Sequence, residues 1–96
     1  MLKIPKSIIS FFGDFLSKKR IPIVSHQYYK KWLRYYLDFC HKYGFRFLDS
    51  GSLPHFINKL KEKRQTGAQQ KQAHESIRLF YELAGKQVEI RDILKG

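Results

Sequence analysis

Cysteine, acidic side chains and long apolar runs are all scarce in this chain of 96 residues. Its one cysteine, Cys40, excludes an intramolecular disulfide and a thiolate metal cluster, and it favours a reducing compartment. Nothing approaches the roughly 20 consecutive apolar residues that a membrane-spanning helix needs. The 8 acidic residues are scattered, so no paired general acid and base emerges. These absences argue against a disulfide scaffold, a membrane protein and an autonomous enzyme.

Metal and cofactor chemistry is equally poorly supported. None of the histidines has a partner at the i, i+4 spacing of metal ligands; they are His26, His41, His55 and His74. There is no glycine-rich phosphate loop and no nucleophile elbow. We therefore expect no metal, no cofactor and no catalytic residue in this chain.

Positive charge is what the chain has in excess. Lys and Arg number 19 against 8 Asp and Glu, which gives a formal net charge of +11. The excess lies in residues 1–71, which hold 15 basic and 4 acidic side chains, whereas residues 72–96 hold 4 of each. Such an excess repels itself when compact and indicates a polyanionic partner, nucleic acid first and an anionic membrane second. The 16% aromatic content argues against a disordered basic tail.

Hydrophobic periodicity predicts two helices in the first half of the chain. The first covers about residues 5–17, and Pro22 prevents its continuation. The second follows an N-cap at Ser25 and stops at Gly44.

Two further helices are predicted in the second half. Ser52 suits the N-cap of a third helix, with Pro54 at its first position. The fourth covers about residues 68–84 and ends at Gly85, while residues 86–96 are either a short docked helix or the start of a further segment. No strand alternation is visible, so the predicted fold class is an all-α orthogonal bundle of four to five helices.

The second helix divides into two faces. At 100° per residue, a polar arc of about 120° holds Gln27, Lys30, Lys31, Arg34, Asp38, His41 and Lys42. Aromatic and aliphatic residues, Tyr28, Tyr35 and Tyr43 among them, fill the opposite face. A row of cations on one helix can lie beside a phosphate backbone, and a solvated helix face is the alternative.

The fourth helix opens with a polar segment rich in amides, Gln69-Gln70-Lys71-Gln72. Glutamine pairs bidentately with adenine edges, and a helix N-terminus favours phosphate. Ordinary solubilising residues would give the same pattern, so base contact and simple solvation both stay open.

Two stretches also carry a family pattern. SHQYYKKWLRYYLDFCHKYG, residues 25–44, combines a capped start with a Trp-hydrophobic-Arg step and a Phe/His stretch. QKQAHESIRLFYEL, residues 70–83, has a Gln-x-Gln-Ala start and a tyrosine eight residues after the alanine. Together with the helix and turn between them, about 60 of the 96 residues resemble the N-terminal core-binding domain of tyrosine recombinases, particularly integron-type and phage-like integrases.

The resemblance implies a SAM-like bundle that clamps one face of recombination-site duplex DNA, with other recombinase protomers on the same DNA. It places Lys30, Lys31 and Arg34 towards the backbone. The family's catalytic residues belong to a following domain, so none of the 6 tyrosines is expected to be the nucleophile. The DNA-binding candidates are Lys30, Lys31, Arg34, His41, Lys42, Gln69, Gln70, Lys71 and Gln72, with flanking phosphate contacts at Lys18, Lys19, Arg20, Lys63 and Arg64.

The resemblance also implies a domain organisation for residues 1–96. An N-terminal helix and connection extend to about residue 24, the core covers residues 25–84, and a linker to an absent catalytic domain starts at residue 85. The expected function is DNA integration and recombination of a mobile element, in the bacterial cytoplasm and associated with the nucleoid. The rival is a helical adaptor whose basic face binds an acidic protein, and a third reading is anionic-membrane binding through residues 1–20.

Overall fold

A computed structural model describes residues 4–95, and within that range the chain forms five helices and no strand. The helices are α1 (Lys6–Lys18), α2 (Ile23–Tyr43), α3 (Ser52–Glu62), α4 (Gly67–Lys86) and α5 (Val88–Lys95). The predicted all-α bundle is therefore confirmed. The connections are short turns, because each helix buries one apolar face and the next helix returns at once to cover it.

The two longest helices, α2 and α4, form the centre of the bundle. Their backbones come close together, since the buried Ser76 hydroxyl on α4 donates to the carbonyl of Tyr29 on α2 at 2.7 Å. The other three helices cover this pair, with side chains that are fully or almost fully buried. The largest buried side chains are Trp32, Tyr36, Phe12, Phe56, Phe80, Ile8, Leu16, Leu33, Leu37, Ile77, Ile90 and Cys40.

The starts of α2 and α3 differ from the prediction. Ser25 is not the N-cap of α2, because the helix begins at Ile23 and the Ser25 amide already donates to the Pro22 carbonyl at 2.9 Å. Ser52 is not the N-cap of α3 either. It is the first helical residue, and its buried hydroxyl donates to the Arg46 carbonyl at 2.9 Å. Both serines had the right residue type but lie inside the first turn.

The predicted end of α4 is also wrong, whereas its start is sharper than expected. Gly85 lies within the helix, which continues to Lys86. At the start, the Thr66 hydroxyl accepts from the Gln69 amide, and Gln69 Oε1 accepts from the Thr66 amide in return. This capping box satisfies two backbone donors that a helix start otherwise leaves unpaired.

The final segment is the docked short helix of the two alternatives. Helix α5 follows α4 after the extended residue Gln87, and it packs on α4 with Ile90 fully buried. Its role as the start of a linker to another domain stays a prediction.

Three helices end in a left-handed residue. Gly44 ends α2 with a φ of 76°, as predicted, since glycine adopts this conformation without strain. Arg20 and Arg64 adopt φ values of 60° and 62° after α1 and α3, where a side chain is disfavoured. In both turns the following residue bonds back to a leucine carbonyl five residues earlier, at 3.0 Å. Two of the predicted flanking cations therefore occupy positions that glycine normally holds.

A pair of phenol groups ties the loop after α2 to the centre of the bundle. The Tyr36 hydroxyl donates to the Phe47 carbonyl at 2.9 Å, and it lies 2.5 Å from the Tyr81 hydroxyl. Burial, together with this phenol pair, raises the pKa of Tyr36 far above its ordinary value, and burial raises the pKa of Tyr81 to about 12. Burial likewise raises the pKa of Cys40 to about 11, so the thiol acts as a small apolar side chain.

Candidate nucleic-acid interface

The cations of α2 turn towards two different neighbours. Consecutive residues of a helix point about 100° apart, so Lys30 and Lys31 leave the helix on different sides. Lys30 lies across α1, where a Cβ on Gly13 would come within 3.1 Å of its Cε and Nζ atoms. The glycine makes room for the half-buried stem of Lys30. Arg34 and His41 are exposed and lie within about 40° of Lys30 around the helix.

Lys31 leaves α2 about 100° from Lys30, on the side of Trp32. Its ammonium lies 4.4 Å from the ring centre of Trp32, a cation–π distance. The indole Nε1 of Trp32 in turn donates to Gln72 Oε1 on α4 at 2.9 Å. Lys42 lies about 20° from Lys31 around the helix, so both point towards this side.

The aromatic face of α2 is only partly buried. Tyr28, Tyr35 and Tyr43, which the helical angle assigns to this face, are 45%, 51% and 46% exposed. The reason is the breadth of the aromatic arc, which is wider than the surface that the neighbouring helices cover. Tyr28 and Tyr35 lie at the edge of this arc, beside the cations, whereas Tyr43 is the last residue of α2, where the end of the helix leaves its ring exposed.

A groove of about 380 Å³ separates the second half of α2 from the end of α3. We call it the α2–α3 groove. Its lining combines aromatic, apolar and charged side chains: Tyr35, Asp38, Phe39, Lys42, Tyr43, Lys59, Leu60, Lys63 and Gln65. Three lysines and one aspartate give it a net positive charge. Within residues 4–95 the ion pairs are Lys19–Glu82 and Glu75–Arg78, so no carboxylate lies within pairing distance of these lysines.

Tyr43 is the point at which the lysines of two helices converge. The ammonium groups of Lys42 on α2 and Lys59 on α3 each lie 5.4 Å from the centre of its ring. The nearby Lys59 ammonium is the main reason that the pKa of Tyr43 lies below its ordinary value, because it can donate to the phenolate, and the positive charge of Lys42 adds to this effect. The site therefore has a field that favours negative charge.

The glutamines at the start of α4 are held by hydrogen bonds within the protein. Gln69 Oε1 accepts from the Thr66 amide at 2.8 Å, and Gln70 Nε2 donates to the Gln65 carbonyl at 2.9 Å. Gln72 Oε1 accepts from Trp32, as above. The donors on Thr66 and Trp32 fix which end of each amide faces inward. Gln69 and Gln72 consequently direct their NH₂ groups away from these bonds, so neither is free to pair bidentately with adenine.

The flanking cations are distributed over two ends of the molecule. Lys18 is the last residue of α1, and Lys19 and Arg20 follow it; the Lys19 ammonium donates to Glu82 at 2.9 Å. Lys63 lines the α2–α3 groove, and Arg64 follows it in the turn before α4. The candidates Lys31, Lys42, Lys63 and the glutamines are thus brought to one side, whereas Lys30 and residues 18–20 lie towards α1.

The sequence did not single out Lys59, Tyr35 and Tyr43 as binding candidates. Lys59 was hidden because its neighbours in α3 are also basic, and only the packing of α3 on α2 selects it. Tyr35 could have been found from the helical angle, which places it about 20° from Lys42. Tyr43 is about 100° from Lys42, so only the packing of α3 on α2 selects it.

Residues 4–95 contain neither a metal-binding group nor a membrane-spanning helix. No group of three or more potential metal ligands is present in this part of the chain. None of the described helices is both long and apolar enough to cross a membrane.

The strongly basic all-α bundle and its cationic groove are typical of a small nucleic-acid-binding domain. Comparison with protein-family models identifies the family. Residues 8–89 match the phage integrase N-terminal SAM-like domain. The chain therefore belongs to this family, which confirms the resemblance seen in residues 25–83 and gives the domain a role in integrase-mediated recombination. In integrases this domain is a non-catalytic one. Comparisons with curated proteins and with solved structures give no match.

Proposed function

We propose that this chain is the DNA-binding core domain of a site-specific tyrosine recombinase and that it holds the duplex of a recombination site. The observation that carries the proposal is the α2–α3 groove, in which lysines from two helices converge without paired carboxylates. A phosphate backbone is the partner that best offsets such a surface, because each contact also releases condensed counterions.

The groove is continuous with the other candidate surface. Gln65 lines the groove, and its carbonyl accepts from Gln70 in the first turn of α4. Tyr35 lines the same groove and packs edge-on against Trp32, with ring centres 5.8 Å apart. A duplex lying along the groove would therefore also meet Lys31 and the NH₂ groups of Gln69 and Gln72. Phosphate contacts would set its register, and the amides would contact base edges.

The domain is catalytically silent on its own in this proposal, and strand transfer belongs to a separate catalytic domain. Other protomers on the same DNA complete the assembly, and the setting is the cytoplasm of a bacterium. The integrase family supports DNA and further recombinase domains as partners.

Titration of a fluorescent duplex with the 96-residue chain at 50 and 200 mM salt tests the proposal. We expect a nonspecific Kd of about 10⁻⁴–10⁻⁶ M at physiological salt, with log–log salt dependence of about −0.9 per phosphate contact. Affinity that does not change with salt would contradict the phosphate contacts. Absence of binding to any duplex, together with capture of a polyglutamate peptide, would favour the acidic-partner adaptor.

Single substitutions identify the side of α2 that meets DNA. Lys31→Ala should weaken binding to two unrelated duplexes by the same factor, because phosphate contacts carry no sequence information. Arg34 lies nearer to Lys30 around the helix, so Arg34→Ala tests the α1 side. Lys30→Ala should weaken binding in the same way if the duplex also reaches α1, but its stem covers Gly13, so its thermal stability is measured alongside. Loss of binding to one duplex only would show that these cations contact bases.

A further inference from the structure

Lys42, Tyr43 and Lys59 form a small concave site, which we call the Tyr43 notch. Its two ammonium groups come from different helices and lie at equal distances, 5.4 Å, from the same ring centre. Tyr43 is half-exposed, so its hydroxyl and the two ammonium groups are accessible from solvent. The notch therefore combines three hydrogen-bond donors on one aromatic support.

The electrostatics of the notch are unfavourable unless an anion is present. The packing of α3 on α2 places both ammonium groups 5.4 Å from one ring centre, so they are at most about 11 Å apart, a separation comparable to the screening length of about 10 Å at 0.1 M salt, and the two like charges repel each other. Asp38 lines the same groove but forms no ion pair with either lysine within the described residues. Negative charge supplied from outside would remove the repulsion.

We infer that the Tyr43 notch binds one phosphoryl group and that the DNA backbone supplies it. Two ammonium groups and a phenol hydroxyl can bind separate oxygens of one tetrahedral phosphate, whereas a planar carboxylate has only two oxygens to offer. Lys63 lies farther along the same groove, where the adjacent phosphate of a strand would follow. The α2–α3 groove thus sets the register of the duplex through this notch.

This inference rests on the proposed function, and a matched pair of lysines tests it. Lys59 faces the notch, whereas Lys61 is exposed on the other side of α3, in a depression that α3 forms with α4. Lys59→Gln and Lys61→Gln remove the same charge from the same helix. We expect Lys59→Gln to weaken duplex binding about fivefold at 0.1 M salt and to lower the salt slope by about 0.9, with a much smaller effect of Lys61→Gln.

A second measurement uses inorganic phosphate and does not depend on DNA. The side-chain carbon signals of Tyr43 are followed by NMR as phosphate is added, with the half-buried Tyr29 as the internal reference. Phosphate in the notch should shift the Tyr43 signals and raise the pH at which Tyr43 ionises, because a bound anion opposes the phenolate. The Lys42→Gln/Lys59→Gln double variant should not respond.

The possible outcomes distinguish two claims: that the Tyr43 notch binds phosphate, and that DNA supplies this phosphate. Equal effects of Lys59→Gln and Lys61→Gln on duplex binding would overturn the notch as a DNA contact, while leaving the proposed function intact. A Tyr43 response to phosphate in a protein that binds no duplex would overturn both the DNA source and the proposed function. Duplex binding with no response of Tyr43 to phosphate or to DNA would overturn the notch itself.

Discussion

The indole nitrogen of Trp32 and the side-chain oxygen of Gln72 are joined by a 2.9 Å hydrogen bond that links α2 to α4. Trp32 is almost fully buried, whereas Gln72 is half-exposed at the edge of the candidate interface. The same glutamine therefore satisfies a core donor and presents its amide nitrogen to the surface. Gln72 therefore contributes both to the stability of the fold and to the candidate interface, and different substitutions of Gln72 test the two roles separately.

Gln72→Ala removes the acceptor and leaves the Trp32 N–H without a partner. We expect the free energy of unfolding to fall by about 1–3 kcal/mol, the cost of an unsatisfied buried donor. Gln72→Glu keeps an oxygen at the same position and should lose much less. Urea denaturation of the three proteins measures the difference, and equal losses in both variants would mean that the bond does not stabilise the fold.

The amide groups of Gln69 and Gln72 offer donors to DNA, because their oxygens are already bonded to Thr66 and Trp32. Donors match the N7 and O6 atoms of guanine and the O4 atom of thymine. Gln69→Glu and Gln72→Glu keep the inner bonds but turn the outer group into an acceptor. We expect the preferred base at the contacted position to shift towards cytosine, by about 1–3 kcal/mol of discrimination.

Selection from a random duplex library with each glutamate variant measures that shift. Lys71→Gln serves as the control on the same turn, since Lys71 is exposed and its change alters charge without altering either amide. An unchanged preference in both glutamate variants, with overall affinity lowered alike for every sequence, would place these side chains away from the bases.

Arg64 combines a strained backbone with a cation near the α2–α3 groove, and two substitutions separate these properties. Arg64→Gly relieves the positive φ of 62° and should raise the free energy of unfolding by about 0.5–1 kcal/mol. Arg64→Ala keeps the strain and should not stabilise the protein. Both remove the guanidinium group, so we expect the same loss of duplex affinity in each. Thermal unfolding and a duplex titration test the two halves of the prediction.

The phenol pair Tyr36–Tyr81 predicts loss of stability at alkaline pH. The pKa of Tyr81 is about 12 in the folded protein, above the value near 10 of an exposed tyrosine. The protonated phenol is therefore favoured by folding. This contribution is complete below pH 10 and is lost as the pH rises through 12.

Tyr81→Phe should flatten this part of the pH profile, at the cost of some stability at neutral pH because its hydrogen bonds are lost. Guanidinium denaturation of both proteins between pH 8 and pH 12 measures the slope. A profile identical to that of the unsubstituted protein would show that Tyr81 is not protonated more tightly in the folded state.

Local signals in the sequence predicted most of the fold. The spacing of Ile8, Phe12 and Leu16 on α1, and of Ala73, Ile77 and Phe80 on α4, correctly indicated the buried faces. The predicted helix ends were less accurate. Ser25, Ser52 and Gly85 are of residue types that often cap helices, but all three lie inside the helices that they were expected to bound. The capping box of Thr66 and Gln69 has a recognisable sequence pattern and could have been predicted.

The candidate interface depended on packing that no single helix encodes. The helical angle places Lys30 and Lys31 on one polar arc, but only the neighbouring helices decide that Lys30 crosses Gly13 and Lys31 covers Trp32. The meeting of Lys59 with Tyr43 joins residues 16 positions apart in the chain and requires the turn between α2 and α3. The periodicity of the sequence therefore could not predict the contacts between helices that form the candidate interface.

The convergence of Lys42 and Lys59 also bears on the rigidity of the bundle. A phosphate held between them would join α2 to α3 as a noncovalent crosslink, replacing repulsion by two attractive contacts. The free energy of unfolding would then rise with duplex concentration as RT ln(1 + [L]/Kd). If the proposed contact is made, duplex DNA would add a tertiary contact between two helices, and we expect the domain to be most rigid when it is bound to DNA.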